Sequence, residues 1–420
     1  MMVSVHGDPL AALGGIQSGG QNVYVRELTV VLDRMGYHVD VFTHWTDPNT
    51  PQVEPLGDNS QVIRLGAGRK CFVPKDKLFH LLPGFLRELR QWGHQHHRTY
   101  RLVHSNYWYS GWVGRQLRRL LAIPQVHISH SLGLVKAMAS QETSKPVIVS
   151  RLREERRILH RADAVVATSP PEQEVLHRSY AVPWEKIRLI PCGVDPSLFR
   201  PRDRAGDRTR LGIKEQKVIL YVGRLEKTKG LEILLRAFSR ITSAAGNGSG
   251  VELWIAGGSP AGAGIKPGPF EDHLRSLCHN LGINERVRFL GPVAQQELPV
   301  YYSAADVCVI PSFYESFGLV AIEAMACGCP VVASRVGGLS YTVKHGLTGL
   351  TVEPRDPERL AQGIIQVLGD ENFRHTLSEN ASARVAKCFT WPQVARQMAE
   401  LYCEVAGCGD GDVILPGASS

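Results

Sequence analysis

The chain has 420 residues, 43% hydrophobic and 21% charged, a balance that excludes a disordered, collagenous or disulfide-scaffold protein. At roughly 150 residues per domain, the length predicts two or three domains. Lys and Arg number 48 against 40 Asp and Glu, a net charge of +8. The basic residues are spread along the chain without a nucleic-acid-binding signature, so pockets for anionic small molecules are expected and a nucleic-acid partner is not.

No run of about 20 apolar residues occurs, so no transmembrane helix and no membrane partner are predicted. The N-terminus lacks the basic-then-apolar pattern of a signal peptide. The nine cysteines are odd in number, several lie in apolar segments, and none forms a CxxC pair. They read as reduced thiols, which predicts a cytoplasmic setting. His94, His96 and His97 read as a solvated helix end rather than a zinc site.

In chain order, VSV (3–5) predicts a strand, followed by a glycine-rich loop and a helix over 20–36. That helix carries Tyr24, Leu28, Val31, Leu32 and Met35 on one face. HVDVFT (38–43), RLVHS (101–105), QVHIS (125–129), DAVVATS (163–169) and IRLIP (187–191) predict further strands. The pattern restarts with VILYVG (218–223), VELWIAG (251–257), RVRFLG (286–291), DVCVIPS (306–312) and PVVAS (330–334). Helical segments separate the strands, so the fold class is α/β with two Rossmann-like parallel-sheet domains. The stretch 192–212 is rich in Pro, Gly and charge and predicts an interdomain linker. The domains are placed at 1–195 and 196–388, with a helix at 389–406 returning to the first and a frayed tail at 407–420.

Three segments carry chemistry. GGIQSGGQNVYV sets Gly14, Gly15, Gly19 and Gly20 between a strand and a helix. It matches neither GxGxxG nor a P-loop, and reads as an anion-favouring helix start or a tight turn. VGRLEKTKG (222–230) places Arg224 and Lys229 after a strand, where two cations can clamp a diphosphate without a metal. FYESFGLVAIEAMACGCPVVAS (313–334) places Glu315 in a loop and Glu323 in the helix that follows. Ionised carboxylates only accept hydrogen bonds, which suits vicinal sugar hydroxyls, and open amides at that helix start suit phosphate.

ESFGLxxxE followed by AxGxPVVAS resembles the signature of the family 4 retaining nucleotide-sugar glycosyltransferases. GRLxxxKG and GGQNVYV are similar to the same family, so the resemblance covers nearly the whole chain. It implies the GT-B fold, with two domains facing across a cleft. SVHGDPLAALGGIQSGGQNVYV, HSNYW, HSLGLVK and FYESFG most resemble the glucosyltransferase domain of sucrose-phosphate synthases. Sucrose synthases and the inositol-phosphate glycosyltransferases of mycothiol synthesis are also similar.

The resemblance implies roles residue by residue. In the C-terminal half, Arg224 and Lys229 bind the donor diphosphate, Glu323 the ribose hydroxyls, and Glu315 with the amides of Phe317, Gly318 and Leu319 the glucose. Gly20 lets its backbone approach the same phosphate. In the N-terminal half, Gly19, Gln21, Asn106, Tyr107 and His130 meet the acceptor. Lys70, Lys136, Arg151 and Arg153 form its phosphate pocket, with Lys75 a rival to Lys70. His130, Arg224, Lys229 and Glu315 are the catalytic set. No metal or other cofactor is implied, and the only DxD, at Asp410 and Asp412, falls in the predicted tail. The implied reaction moves glucose from UDP-glucose to fructose 6-phosphate, giving sucrose 6-phosphate and UDP. Its alternatives are transfer to fructose or to an inositol phosphate. A separate sucrose-phosphate phosphatase is the implied partner, since the chain has no room for a fused one.

Overall fold

The structure, a computed structural model, describes residues 1–11, 19–140, 146–244, 250–258 and 268–407. Several of its strands are short apolar runs, such as AVVA, VCVI and VVAS, buried along their whole length. Continuous burial of this kind belongs to parallel sheets covered by helices on both faces. The chain forms two compact units, Met1–Pro191 with the segment from Trp391 onward, and Cys192–Thr390.

The first unit holds eight strands: β1 (Met2–Val3), β2 (Asp40–His44), β3 (Val53–Pro55), β4 (Gln61–Leu65), β5 (Val103–Asn106), β6 (Gln125–Ile128), β7 (Ala164–Ala167) and β8 (Ile187–Leu189). They run in the order β3-β4-β2-β1-β5-β6-β7-β8. Neighbours are parallel except β3 and β4, which are antiparallel. The second unit holds β9 (Lys217–Val222), β10 (Val251–Ala256), β11 (Val287–Gly291), β12 (Val307–Ile310), β13 (Val331–Ser334) and β14 (Leu350–Val352), all parallel, in the order β11-β10-β9-β12-β13-β14.

The expected α/β class with two parallel sheets is what forms, with local corrections. β3, β4 and β14 were not expected. They are short, and β3 and β4 mix polar with apolar residues, so periodicity does not mark them. The helix predicted over 20–36 is Gly20–Arg34, ending where Gly36 turns to φ 89. The expected linker 192–212 is in part a helix, Arg204–Arg210, docked on the second unit. Arg204 donates to Asp306 Oδ1 at 2.8 Å and Arg208 to Asp306 Oδ2 at 3.3 Å.

The first boundary therefore lies at Pro191/Cys192 rather than near 196. The last helix is Trp391–Ala406 rather than 389–406. Phe389 and Thr390 stay with the second unit, where the Phe389 carbonyl accepts from Val194 at 2.9 Å. The helix Trp391–Ala406 packs on the helix Gly20–Arg34. Trp391 meets Tyr24 at 5.6 Å between ring centroids, and Tyr402 OH lies 2.5 Å from His104 Nδ1. Gly14, Gly15, Asp410 and Asp412 lie outside the described residues.

Candidate active site

In the second sheet the strand order reverses between β9 and β12. Such a reversal opens a crevice at the carboxyl edge of a parallel sheet, and the segments after those two strands carry Arg224, Lys229 and Glu315. The two segments are bound to each other: Phe313 donates its N–H to the Thr228 carbonyl at 2.8 Å. Gly230 has φ 72, and a Cβ there would stand 1.9 Å from the Pro311 carbonyl oxygen, so only glycine permits this approach.

The result is an ion pair between Lys229 Nζ and Glu315 Oε1. The Ser312 hydroxyl donates to the same oxygen at 3.3 Å, and the Glu315 carbonyl accepts from Gly338 at 3.0 Å. Arg224 is held less tightly, half-exposed and paired with Glu226 at 2.6 Å. An anion arriving beside β9 can therefore replace Glu226 as its partner at little cost.

Gly318, at φ 92, turns the chain into the helix Leu319–Ala326 and provides no side-chain cap. No acidic residue stands in the first turn, so the positive end of this helix is open to a negative ligand. Glu323, one turn on, is buried and accepts from Tyr302 OH at 3.1 Å. Phe317 is buried against Phe389, with centroids 5.6 Å apart.

In the first sheet the reversal lies between β1 and β5, again a crevice position. Gln21 Nε2 donates to Ser4 Oγ at 3.0 Å and reaches the Asn106 carbonyl at 3.5 Å. Asn106 Oδ1 is 2.9 Å from His130 Nε2. An amide oxygen only accepts, so Nε2 of His130 carries the proton. Burial and the neighbouring His127 bring the His130 pKa down to about 3, so this ring is a neutral hydrogen-bonding group near neutral pH.

Tyr107 and His130 both have left-handed backbone, φ 72 and φ 53. Non-glycine residues pay about 1–3 kcal/mol for that, a strain that collects at functional sites. Gly19 differs: its φ of 176 is ordinary extended backbone, and a Cβ there would meet nothing within 4 Å among the described residues.

Arg151 lies 4.9 Å over the Tyr107 ring. Its Nε donates to Glu155 at 2.7 Å, and it also bonds the Ser131 carbonyl. Glu155 is buried and takes the Gly133 N–H at 3.0 and 3.1 Å and Tyr180 OH at 2.6 Å.

The structure thus gathers Gln21, Asn106, Tyr107, His130 and Arg151 at one sheet edge. Lys70 is exposed, its ammonium 3.9 Å from the centroid of the Trp45 ring. Lys75 opens the turn Lys75–Leu81, and its carbonyl accepts from Tyr109 OH. Lys136 and Arg153 are exposed on the helices Gly133–Ser140 and Pro146–Arg161. Two residues escaped the sequence reading. Glu155 stands one helical turn after Arg151, a spacing that marks ion pairs. His6 stands just beyond β1, a position that marks ligand sites.

The chain matches the family Glycosyl transferases group 1 over residues 203–384 and Glycosyltransferase Family 4 over residues 18–198. The D-inositol 3-phosphate glycosyltransferase of Corynebacterium glutamicum is 35% identical over 405 residues, covering 96% of this chain and 95% of that protein. The same enzyme of Corynebacterium jeikeium is 38% identical over 414 residues, covering 97% of each. The sucrose-phosphate synthase of Thermosynechococcus elongatus superposes with a TM-score of 0.89 at 41% identity, covering 97% of this chain and 99% of that one. Anabaena HepE in complex with UDP-glucose shares the fold, with a TM-score of 0.73 at 23% identity over 96% of this chain and 98% of that one. With both sheets, their crevices and these likenesses in hand, the chain belongs to the family 4 glycosyltransferases, enzymes of the GT-B fold.

Proposed function

We propose that the enzyme transfers glucose from UDP-glucose to fructose 6-phosphate with retention, giving sucrose 6-phosphate and UDP. The observation that carries this reading is the 41% identity over 97% of the chain to a sucrose-phosphate synthase. The first-unit cluster supports it: Arg151 and Lys75 around neutral histidines suit a phosphorylated sugar.

In this reading, Arg224 and Lys229 take the diphosphate. Breaking the bond from C1 to the phosphate oxygen puts negative charge on that group, and fixed cations aimed at it supply the largest electrostatic gain. Glu315 and the amides of Phe317, Gly318 and Leu319 hold the glucose, Glu323 holds the ribose, and Gly20 lies against the phosphate. The acceptor oxygen bonds C1 on the face the phosphate leaves, and its proton passes to the leaving phosphate. Gly19, Gln21, Asn106, Tyr107 and His130 orient the acceptor, and Lys75 joins Arg151 on its phosphate, with Lys136 and Arg153 at the rim. No metal enters the scheme, the setting is cytoplasmic, and a separate phosphatase consumes the product.

A second reading, transfer to an inositol phosphate, is favoured by the relatives of that name at 35% and 38% identity. Turnover of UDP-glucose with fructose 6-phosphate, fructose and inositol 3-phosphate decides between them. Fructose 6-phosphate alone should react well. Equal turnover of fructose, or turnover of the inositol phosphate alone, would overturn the first reading.

A further inference from the structure

Glu323 sits in the second unit on the helix Leu319–Ala326, and a group from another helix meets its carboxylate. Tyr302, on the helix Leu298–Ala304, donates its hydroxyl to Glu323 Oε2 at 3.1 Å. Both residues are buried, Tyr302 at 0% and Glu323 at 7% exposure. Phe199 stands beside the Tyr302 ring, with centroids 6.3 Å apart. The helix itself is clamped: the carbonyls of Ser303 and Ala304, next to Tyr302, accept from Arg204 at 3.2 Å and from Arg208 at 3.0 Å. The hydroxyl that meets Glu323 therefore stands on a fixed element of the same unit.

A glutamate carboxylate swings on several side-chain torsions, and ordering it for a ligand costs entropy. A partner on one oxygen meets part of that cost before the ligand arrives. Phenylalanine carries the same ring as Tyr302, and a buried hydroxyl without a partner would cost stability, so the hydroxyl is explained by Glu323. Burial foremost, and then the Glu323 charge, push the Tyr302 pKa well above the usual tyrosine value. The phenol keeps its proton and stays a donor.

We propose that Tyr302 is a positioning residue of the donor site, its hydroxyl fixing the Glu323 carboxylate in the orientation that accepts from the ribose hydroxyls. This rests on the ribose reading of Glu323 above, and the test keeps the two apart. The probes are UDP and dideoxyuridine diphosphate, which lacks both ribose hydroxyls, bound in calorimetric titrations that need neither acceptor nor turnover. In the wild type the dideoxy nucleotide should bind at least about tenfold more weakly, the worth of one hydrogen bond to a charged group. In Tyr302→Phe the UDP affinity should fall about three- to tenfold, the ordering cost of one side chain, while the dideoxy affinity stays in place. Glu323→Ala should lose the discrimination, and adding Tyr302→Phe to it should change neither affinity. A merely structural tyrosine would lower both affinities together, or the melting temperature alone.

A crystal structure of the wild type with UDP needs no Tyr302 variant. The ribose hydroxyls should lie on Glu323 while Tyr302 keeps Oε2. Unchanged UDP affinity in Tyr302→Phe, equal losses for both nucleotides, or a Tyr302 hydroxyl that leaves Glu323 in the UDP complex overturns the Tyr302 assignment alone. A wild type that binds the two nucleotides equally, or a ribose that lies away from Glu323, overturns it together with the reading it rests on.

Discussion

Glu155 permits a prediction whose size can be worked from the structure. Its side chain is 3% exposed and that of its partner Arg151 11%. In Glu155→Ala, the Gly133 N–H and Tyr180 OH lose their acceptor, each worth about 1–3 kcal/mol when left unpaired and buried. Arg151 loses its counter-ion, and breaking a buried ion pair from one side costs about 3–5 kcal/mol. These terms overlap, so about 4 kcal/mol is the expected total. For a unit near 200 residues, each kcal/mol moves the melting temperature by about 2–4 °C, which gives a fall of roughly 8–16 °C. Glu155→Gln keeps an acceptor oxygen and should lose about half as much. Arg151→Ala leaves Glu155 with two donors and should lose less than Glu155→Ala. Calorimetry on the three variants reads these values, and initial rates read the acceptor KM, which should rise in all three as Arg151 moves or disappears. A fall below about 3 °C in Glu155→Ala would refute the argument, since it would mean water reaches the site and pairs the stranded donors.

Lys229→Ala should lower kcat/KM about 10²–10³-fold, the scale of a lost donor to developing negative charge; a change below threefold would remove Lys229 from the proposed chemistry. Activity should persist in excess EDTA, and loss of turnover that magnesium restores would contradict the metal-free scheme. Stability should fall as the pH drops from 8 to 5.5. His127 and His130 have folded-state pKa values of about 3, set by burial, against about 6.5 unfolded, so between those values the unfolded chain binds the extra protons. At pH 5.5 each histidine costs about 1.4 kcal/mol, and a melting temperature that does not fall between pH 8 and 5.5 would show that these rings are not buried neutral.

The alternation of apolar runs and amphipathic helices was enough to place eleven of the strands, because fully buried parallel strands such as VCVI and VVAS have no polar interruption. β3, with only Val53, Glu54 and Pro55, offers too few residues for a period to register. RAGDRTR reads as a linker because its charges look solvated. Its partner Asp306 lies about a hundred residues away, and only the fold brings Arg204, Arg208 and Arg374 onto that one carboxylate. The site divides the same way. Lys229 and Glu315 were legible as motif residues, but their ion pair depends on Gly230 lying against Pro311. Lys70 and Lys75 sit in one GRKCFVPK segment, where spacing alone gives no reason to prefer either. His6 lies inside the SVHGDPL stretch, but nothing in its spacing singles it out, and only the fold sets its ring against Tyr107 and Tyr109.

The return of the chain to its first unit sets an order on synthesis. The segment Cys192–Thr390 is continuous, so it can fold as soon as it has left the ribosome. The first unit is interrupted: until Trp391 and Tyr402 emerge, Tyr24 lacks the indole it packs against and His104 lacks its phenol. The half that is translated first is therefore completed last. A ribosome stalled between those two points would display the uncovered face of the helix Gly20–Arg34 to chaperones and proteases, and a stop codon near residue 390 would damage the N-terminal half more than the unit it directly follows.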